Sequence, residues 1–254
     1  MCGTLRKARR DEKALFCLGA VEGGGAASTI QPMTHRSLII GASGGIGSAI
    51  TARLKENGSD VTTISRSEDG LDVTDEASVA ECMKKAEGEF QLIFVATGAL
   101  EIDGAEPEKA LKDVSAKALA DQFAVNCIGP SLIMKHALPM LPRKGPSCFA
   151  ALSARVGSIG DNQIGGWYSY RTAKAALNQM VHGAAIELKR THKEAVCVAL
   201  HPGTVATDFT AKYAGRHKTV EPSEAAHNLL SVLEGLGPDD TGLFFDWQGE
   251  RVAW

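Results

Sequence analysis

The chain has 254 residues, a length that fits one α/β domain, with 44% hydrophobic residues, 22% charged residues and a formal net charge of −3. That charge argues against a nucleic-acid partner, and no apolar run is long enough to cross a membrane. The six cysteines are scattered without a C-x-x-C spacing, so they indicate buried free thiols in a reducing, cytoplasmic setting and no metal site.

Residues 1–35 differ in composition from the rest of the chain. They contain a basic cluster from Arg6 to Arg10 and a run of small residues from Gly23 to Ala27. Acidic residues in the same stretch argue against a transit peptide, and it has no hydrophobic segment of the secretory kind. We therefore expect a disordered N-terminal extension, or an upstream start with Met33 as the working start, ahead of a single domain at residues 36–254.

A glycine-rich turn follows the first predicted strand. The apolar run 37–40 is typical of a buried parallel strand, and it leads into the sequence GASGGIG at 41–47 and a helical segment at 48–56. Strand, glycine turn and helix form the context that the dinucleotide-binding fingerprint requires. The alternative is a glycine-rich turn that binds no ligand.

Each residue of this turn has a predicted role. Gly41 permits the tight turn, Gly45 lets backbone N–H groups approach a pyrophosphate, and Gly47 lets the helix pack closely. The predicted cofactor contacts in the turn are Gly41, Ser43, Gly45, Ile46 and Gly47.

The second predicted strand, residues 60–64, ends about 20 residues beyond the glycines, where the adenosine ribose is expected. A carboxylate there would select NAD, and this chain has none at that place. Arg66 offers a planar cation that suits a 2′-phosphate, so we expect NADP in preference to NAD; a solvated surface charge is the alternative. Asp72 and Val73 follow and are assigned to the adenine end of the cofactor, whereas Asp75 is placed to cap the next helix.

The third predicted strand, residues 91–95, ends near Thr97 and Gly98. Because this loop lies at a strand end beside the expected cofactor, both residues are predicted cofactor contacts. A long helix with apolar periodicity follows over residues 115–138. Asn126 lies inside it, either as a solvent-facing or core amide, or as a group that holds water or a helix kink at a site.

The fourth predicted strand, residues 147–152, leads toward a helix that carries Tyr170 and Lys174. These residues are four apart, so their side chains lie on one helix face. At about 4 Å and an effective dielectric of about 20, the ammonium would favour the phenolate by roughly 4 kcal/mol, or about three pKa units. That shift would bring the tyrosine toward the pKa of an efficient general acid/base, although many helices carry such a pair as a surface contact.

The fifth predicted strand, residues 195–200, ends in a turn forced by Pro202 and Gly203. The backbone of Val205 and the side chain of Thr207 are then placed to hydrogen-bond a nicotinamide carboxamide. A short helix at 224–234 and a closing strand at 243–246 complete the pattern. Strands that alternate with helices throughout predict one doubly wound parallel sheet, a Rossmann fold with helices on both faces.

Together these motifs resemble the short-chain dehydrogenase/reductase family over residues 36–254. Further segments, at 153–159, 165–171 and 245–254, resemble its C-factor-like and sniffer-like branch of compact, often NADP-linked carbonyl reductases. The resemblance rests on the joint order and spacing of Gly41, Gly45, Gly47, Asp72, Asn126, Tyr170, Lys174, Pro202 and Gly203.

The resemblance implies a role for each central residue. Tyr170 would donate a proton to a carbonyl oxygen as hydride arrives from the nicotinamide, or take it back in oxidation. Lys174 would lower the pKa of the tyrosine and bond the nicotinamide ribose, and Asn126 would hold a water that links Lys174 to solvent. Family members often pair through two long helices, here 115–138 and 168–190, so the resemblance implies a homodimer or homotetramer as the expected assembly.

Three positions depart from the family pattern. Ala96-Thr97-Gly98 stands where Asn-Ala-Gly is usual, Ile40 stands where Thr usually precedes the first glycine, and Ala154 occupies the place of the catalytic serine. Ser153 or Ser158 would have to orient the carbonyl instead; without either, the lost donor would cost about 10²–10³ in rate. The alternative function is therefore an NAD(P)-binding signalling or regulatory protein with weak or no catalysis.

The expected substrate is a small carbonyl compound or the matching alcohol. The segment that would cover the site, residues 204–220, is short, so we expect an open pocket with broad substrate acceptance. Its basic residues either favour an anionic substrate or form a solvated loop; they are Lys212, Arg216, His217 and Lys218.

Overall fold

A parallel sheet of six strands runs through the residues that the structure, a computed structural model, describes: 36–213 and 218–254. The strand order is β2-β1-β3-β4-β5-β6, and every neighbouring pair is parallel. The predicted doubly wound fold is thereby confirmed. The strands are β1 (Arg36–Ile40), β2 (Asp60–Ile64), β3 (Leu92–Val95), β4 (Ser147–Leu152), β5 (Ala195–His201) and β6 (Phe244–Asp246).

Helices cover both faces of the sheet. Helices α1 and α7 pack on one face, and α3, α5 and α6 pack on the other. No helix in the described ranges is long and apolar enough to cross a membrane. The helices are α1 (Gly45–Glu56), α2 (Arg66–Asp69), α3 (Glu76–Lys84), α4 (Ala116–Phe123), α5 (Gly129–Ala137), α6 (Tyr168–Leu188) and α7 (Pro222–Gly235).

The central strands are apolar on both faces because helices bury both. In β1, Ile39 packs toward α1 and α7, whereas Leu38 and Ile40 pack toward the opposite helices. Ile39 lies in register between Thr63 of β2 and Phe94 of β3. Full burial of a side chain such as Ile39 contributes roughly 1.5–3 kcal/mol to the free energy of folding. Burial on both faces therefore stabilises these short strands, which hold the loops at their carboxyl ends.

Two helix predictions need correction. The helix predicted at 48–56 begins at Gly45, so the last glycines of the turn belong to its first turn. The single helix predicted at 115–138 is interrupted by a π-helical segment at Ala124–Ile128, which separates α4 from α5. Asn126 lies in that segment. This position agrees with one of its predicted roles, which was to hold a helix kink at a site.

The prediction of an N-terminal extension lies outside the described residues. It stays a prediction, as does the start of the domain at residue 36. Cys2, Cys17 and Met33 belong to the same undescribed stretch.

Candidate active site

The glycine turn presents a bare helix end. Gly41 has a φ of +87°, and a Cβ there would come within 2.8 Å of the Ala96 carbonyl group. A Cβ on Gly47 would overlap the Gly41 carbonyl oxygen, so α1 starts directly against the turn. The residue before α1, Gly44, provides no side-chain cap, and the first turn of α1 has no acidic residue. The first N–H groups of α1 have no partner within the helix, and together with the helix dipole they favour an anion such as a pyrophosphate.

A cavity of about 850 Å³ lies at the carboxyl ends of the strands, between the glycine turn, the ends of β3, β4 and β5, and the start of α6. This is the place where doubly wound sheets bind ligands. Twelve predicted site residues line it: Ser43, Gly45, Ile46, Thr97, Gly98, Ser153, Tyr170, Lys174, Pro202, Gly203, Val205 and Thr207. The remaining predicted residues lie outside the cavity wall: Gly41, Gly47, Arg66, Asp72, Val73 and Asn126.

Tyr170 and Lys174 are buried residues in the wall of this cavity. Their exposed fractions are 5% and 3%, and Lys174 Nζ lies 5.8 Å from the centroid of the Tyr170 ring. The ammonium donates to the Leu152 carbonyl oxygen at 3.0 Å. The fourth strand therefore fixes the lysine on the same face of α6 as the tyrosine.

The expected lowering of the Tyr170 pKa is not found in this structure. Burial instead raises the pKa of the phenol above its usual value, and burial lowers the pKa of Lys174 to about 8. The reason is that desolvation disfavours both charged forms, and the ammonium is bonded to the Leu152 carbonyl. At neutral pH the pair is therefore a protonated phenol beside a largely protonated amine.

Asn126 is a fully buried amide whose bonds hold the loop after β3. It accepts from Ala99 N at 3.1 Å and donates to Ala99 O and to Gln122 Oε1, both at 2.7 Å. A Cβ on Gly98 would lie 2.8 Å from Asn126 Oδ1 and 3.4 Å from Lys174 Nζ, so only glycine fits between the two. Both amide hydrogens are used, which leaves one lone pair of Oδ1 for the predicted water.

The two candidate hydroxyls near Ala154 are engaged elsewhere. Ser153 Oγ donates to Asn178 Oδ1 at 2.6 Å, and Ser158 Oγ accepts from Asp161 N at 3.0 Å. Ser153 lines the cavity, whereas Ser158 does not. Ala154 itself faces the cavity with a methyl group. The geometry therefore leaves the usual position of the carbonyl donor without a hydroxyl.

The residues assigned to the adenine end do not line the cavity. Arg66 begins α2 and is exposed, and Val73 packs where a Cβ of Gly129 would lie. Asp72 accepts two hydrogen bonds from Thr74, which, together with the nearby charge of Arg66, hold the pKa of its carboxyl group below the usual value. Their assignment to the cofactor stays a prediction.

The segment after β5 lies against the glycine turn. Gly203 has a φ of +77°, and the methyl carbon of Thr207 lies 2.5 Å from where a Cβ of Gly45 would be. Val205 is buried, and its carbonyl group accepts from the Thr210 hydroxyl. These contacts bring the predicted nicotinamide residues to the same wall as the predicted pyrophosphate site.

Lys212, one of the basic residues of this segment, is paired with carboxylates. Lys212 Nζ pairs with Glu101 at 2.6 Å and with Glu106 at 3.8 Å, and the Tyr213 hydroxyl donates to Glu101 at 2.8 Å. Sequence reasoning missed these partners because Glu101 lies more than a hundred residues earlier. Lys218 is exposed, and Arg216 and His217 lie outside the described residues.

A second group of residues missed from the sequence surrounds the start of α6. Trp167 contacts Tyr170 and Tyr213 edge-on, with ring centroids 6.2 and 5.5 Å apart. Glu108, from the loop after β3, bonds Ser169. The one available signal was a Trp at the helix start, where a capping residue is usual. Within the described ranges, no cluster of three or more His, Cys, Asp or Glu residues is suited to a metal ion.

A family model described as Enoyl-(Acyl carrier protein) reductase matches residues 41–234. The chain belongs to the short-chain dehydrogenase/reductase family. It is thus an oxidoreductase of that family, as its motifs predicted. The 1-hydroxy-2-glutathionyl-2-methyl-3-butene dehydrogenase of Rhodococcus sp. strain AD45 is 30% identical over 233 residues, which are 85% of this chain and 98% of the relative.

Two further similarities fit this membership. The C-signal protein of Myxococcus xanthus is 37% identical over 145 residues, 57% of this chain and 84% of the relative. An NADPH-bound carbonyl reductase from chicken fatty liver has the same fold, with a TM-score of 0.70 and 23% identity over 87% of this chain and 94% of that one. The short-chain dehydrogenase fold therefore extends over nearly all of the described residues.

Proposed function

We propose that this protein is an NADP-dependent oxidoreductase that reduces the carbonyl group of a small organic substrate, or oxidises the matching alcohol. One observation carries the proposal. A buried Tyr170–Lys174 pair and a bare glycine-turn helix end line the same cavity of about 850 Å³. That arrangement unites a proton donor with an anion site that suits a dinucleotide.

The cavity wall fits a dinucleotide on independent grounds. Two buried polar atoms of wall residues have no hydrogen-bond partner within the described part of the chain, Thr97 Oγ1 and His201 Nδ1. Buried polar groups without partners are rare, so both atoms are suited to a ligand. The carbonyl reductase from chicken fatty liver, which shares the fold, is an NADPH-bound protein. Arg66 favours the phosphorylated form of the cofactor because its guanidinium can bond a phosphate in two places.

Each of the central residues has a separate role in the proposed reaction. Bound NADPH supplies the hydride. Tyr170 donates its proton to the carbonyl oxygen, because burial keeps the phenol protonated until a strong base forms beside it. Lys174, held by the Leu152 carbonyl, provides a positive charge that stabilises the phenolate left behind. Asn126 positions the loop at Gly98 and offers Oδ1 to the proposed water.

The test is NADPH oxidation by the purified chain against a panel of aldehydes, ketones and diketones, with NADH as the alternative reductant. We expect turnover with NADPH, a lower kcat/KM with NADH, and a loss of at least about 10²-fold in Tyr170→Phe. Tyr168→Phe is the matched control, since Tyr168 lies in the same helix turn but does not line the cavity. Equal rates for wild type and Tyr170→Phe would overturn the proposal.

A second function is supported by Ala154. Its methyl group stands where a hydroxyl is usual, and Ser153 and Ser158 are engaged elsewhere. The chain would then bind NADP as a signalling or regulatory protein with little catalysis, and a relative bears the name C-signal. NADPH binding measured by fluorescence, without turnover of any substrate in the panel, would favour this function.

We also propose a homodimer or homotetramer in the cytoplasm. Three large apolar side chains are exposed on the π-helical segment and α6, namely Ile128, Met180 and Ile186. Light scattering after size exclusion tests the assembly. Four buried free cysteines support a reducing compartment: Cys82, Cys127, Cys148 and Cys197.

A further inference from the structure

Helix α6 starts without a cap of its own. The residue before it, Trp167, has a left-handed backbone with φ of +51° and provides no side-chain hydrogen bond. The first turn of α6 contains no acidic residue. Tyr170 is the third residue of the helix, so its position depends directly on how the first N–H groups are held.

Glu108 supplies the missing cap from 61 residues upstream. Its carboxylate accepts from Ser169 N at 3.1 Å and from the Ser169 hydroxyl, and its backbone carbonyl accepts from Trp167 N at 2.6 Å. Three donors at the helix start therefore converge on one residue. A carboxylate at this end is also favoured by the helix dipole.

The environment of Glu108 indicates that this contact is its main one. The residue is 7% exposed, and no ion pair among the described residues includes it. Ser169, at 1% exposed, is equally buried. On the other side, Arg171 donates to Gly166 O at 2.9 Å and to Val156 O at 3.2 Å, so Tyr170 lies between two anchored neighbours.

We propose that Glu108 is a positioning residue for Tyr170: it caps α6 through Ser169 and thereby fixes where the phenol meets the substrate. This inference rests on the proposed function for its rate effect. The geometric effect, which is the placement of the Tyr170 ring by the cap on α6, does not depend on the proposed function. Glu108 does not line the cavity of about 850 Å³, so it should influence the proton-transfer step and leave NADPH binding unchanged.

Glu108→Gln tests the proposal because the amide has nearly the same shape but only one accepting oxygen. In the full chain we expect kcat to fall about tenfold, while KM and Kd for NADPH stay within about twofold. Ser169→Ala removes only the hydroxyl bond and should lower kcat about threefold. The double variant should fall no further than Glu108→Gln, since both changes break one contact. Glu106→Gln, on the same loop and 60% exposed, is the control.

A second measurement is independent of turnover. The chain has three tyrosines, so labelling Cζ with carbon-13 gives three NMR signals, and Tyr170→Phe assigns the relevant one. We expect Glu108→Gln to shift or broaden the Tyr170 signal and to leave the Tyr213 signal unchanged. If wild type shows no turnover but this signal moves, the proposed function fails and the positioning role stands.

Two results would overturn the positioning role. One is an unchanged Tyr170 signal together with an unchanged kcat in Glu108→Gln. The other is a loss of thermal stability that lowers kcat only in proportion to the unfolded fraction, with the signals of all three tyrosines shifting alike.

Discussion

Ala154→Ser should raise the turnover of this enzyme. Residue 154 has an extended backbone, with φ of −146° and ψ of 143°, and lines the cavity, so a serine can adopt an ordinary rotamer there without displacing a neighbour. The new hydroxyl would face the space beside Tyr170. A single well-placed donor to a developing oxyanion contributes about 10²–10³ in kcat.

We expect a smaller gain, about 10- to 100-fold in kcat, because the neighbours of an introduced hydroxyl are not arranged to orient it. KM for NADPH should not change, and stability should stay within about 0.5 kcal/mol, since the added atom points into the cavity. The assay is the initial rate of NADPH oxidation with the best carbonyl substrate of the panel, analysed for kcat and KM separately.

Ser153→Ala is the informative partner of this variant. It removes the donor of the 2.6 Å bond to Asn178 Oδ1 and leaves that buried oxygen unpaired, at a cost of about 1–3 kcal/mol in unfolding free energy. The folded enzyme should keep its kcat within about threefold. If Ser153→Ala instead abolishes turnover while Ala154→Ser has no effect, Ser153 is the carbonyl donor and the reasoning from its hydrogen bond is refuted.

Three further predictions concern the cofactor and the buried lysine. Gly47→Ala should destabilise the fold by about 1–3 kcal/mol and abolish NADPH binding, because the new Cβ would overlap the Gly41 carbonyl oxygen. The control is Gly183→Ala in α6, where a Cβ would meet open space. This variant should stabilise the fold by about 0.5–1 kcal/mol, as measured by thermal unfolding. Arg66→Ala should raise KM for NADPH about tenfold and leave KM for NADH unchanged; equal changes would remove the 2′-phosphate assignment. Burial lowers the pKa of Lys174 from 10.5 to about 8 in the folded state, so between these two pH values the unfolded chain binds more protons than the folded one. The free energy of unfolding should therefore rise with pH across that window, by about 3 kcal/mol at most. Chemical denaturation at several pH values, with Lys174→Met as the reference, measures this rise. A constant difference between the two proteins from pH 7 to 10 would contradict the buried position of the ammonium.

Much of the fold could be predicted because its signals are local. Strands buried on both faces must be short apolar runs, and the run at residues 147–152 has the same bounds in the structure as in the prediction. The Tyr170–Lys174 pair could be predicted because helix geometry alone puts residues four apart on one face. The cap at Asp75 could also be predicted, because a helix cap depends on residues close in the sequence: its side chain accepts from Ala77 N at the start of α3, as expected.

The parts that could not be predicted depend on partners that are distant in the sequence. The direction of the Ser153 hydroxyl is set by Asn178, and the start of α6 is set by Glu108. The pKa of Tyr170 was predicted from one neighbouring charge, but it is set by burial, which only the packed protein determines. Pairwise spacing carries no information on desolvation, so the predicted direction of the pKa shift was wrong.

The raised pKa of Tyr170 changes what the tyrosine is suited to do. A phenol whose pKa lies above its usual value stays protonated at neutral pH, and it is a weaker acid than a free tyrosine, so it gives its proton only to a stronger base than phenolate. An alkoxide formed by hydride addition to a carbonyl is a much stronger base than a phenolate, so proton transfer from Tyr170 to it is downhill. Oxidation of an alcohol requires the phenolate first, and burial disfavours that form. The protonated phenol is therefore the form from which the proposed carbonyl reduction would start, whereas alcohol oxidation would have to start from the phenolate, which the charge of Lys174 would stabilise.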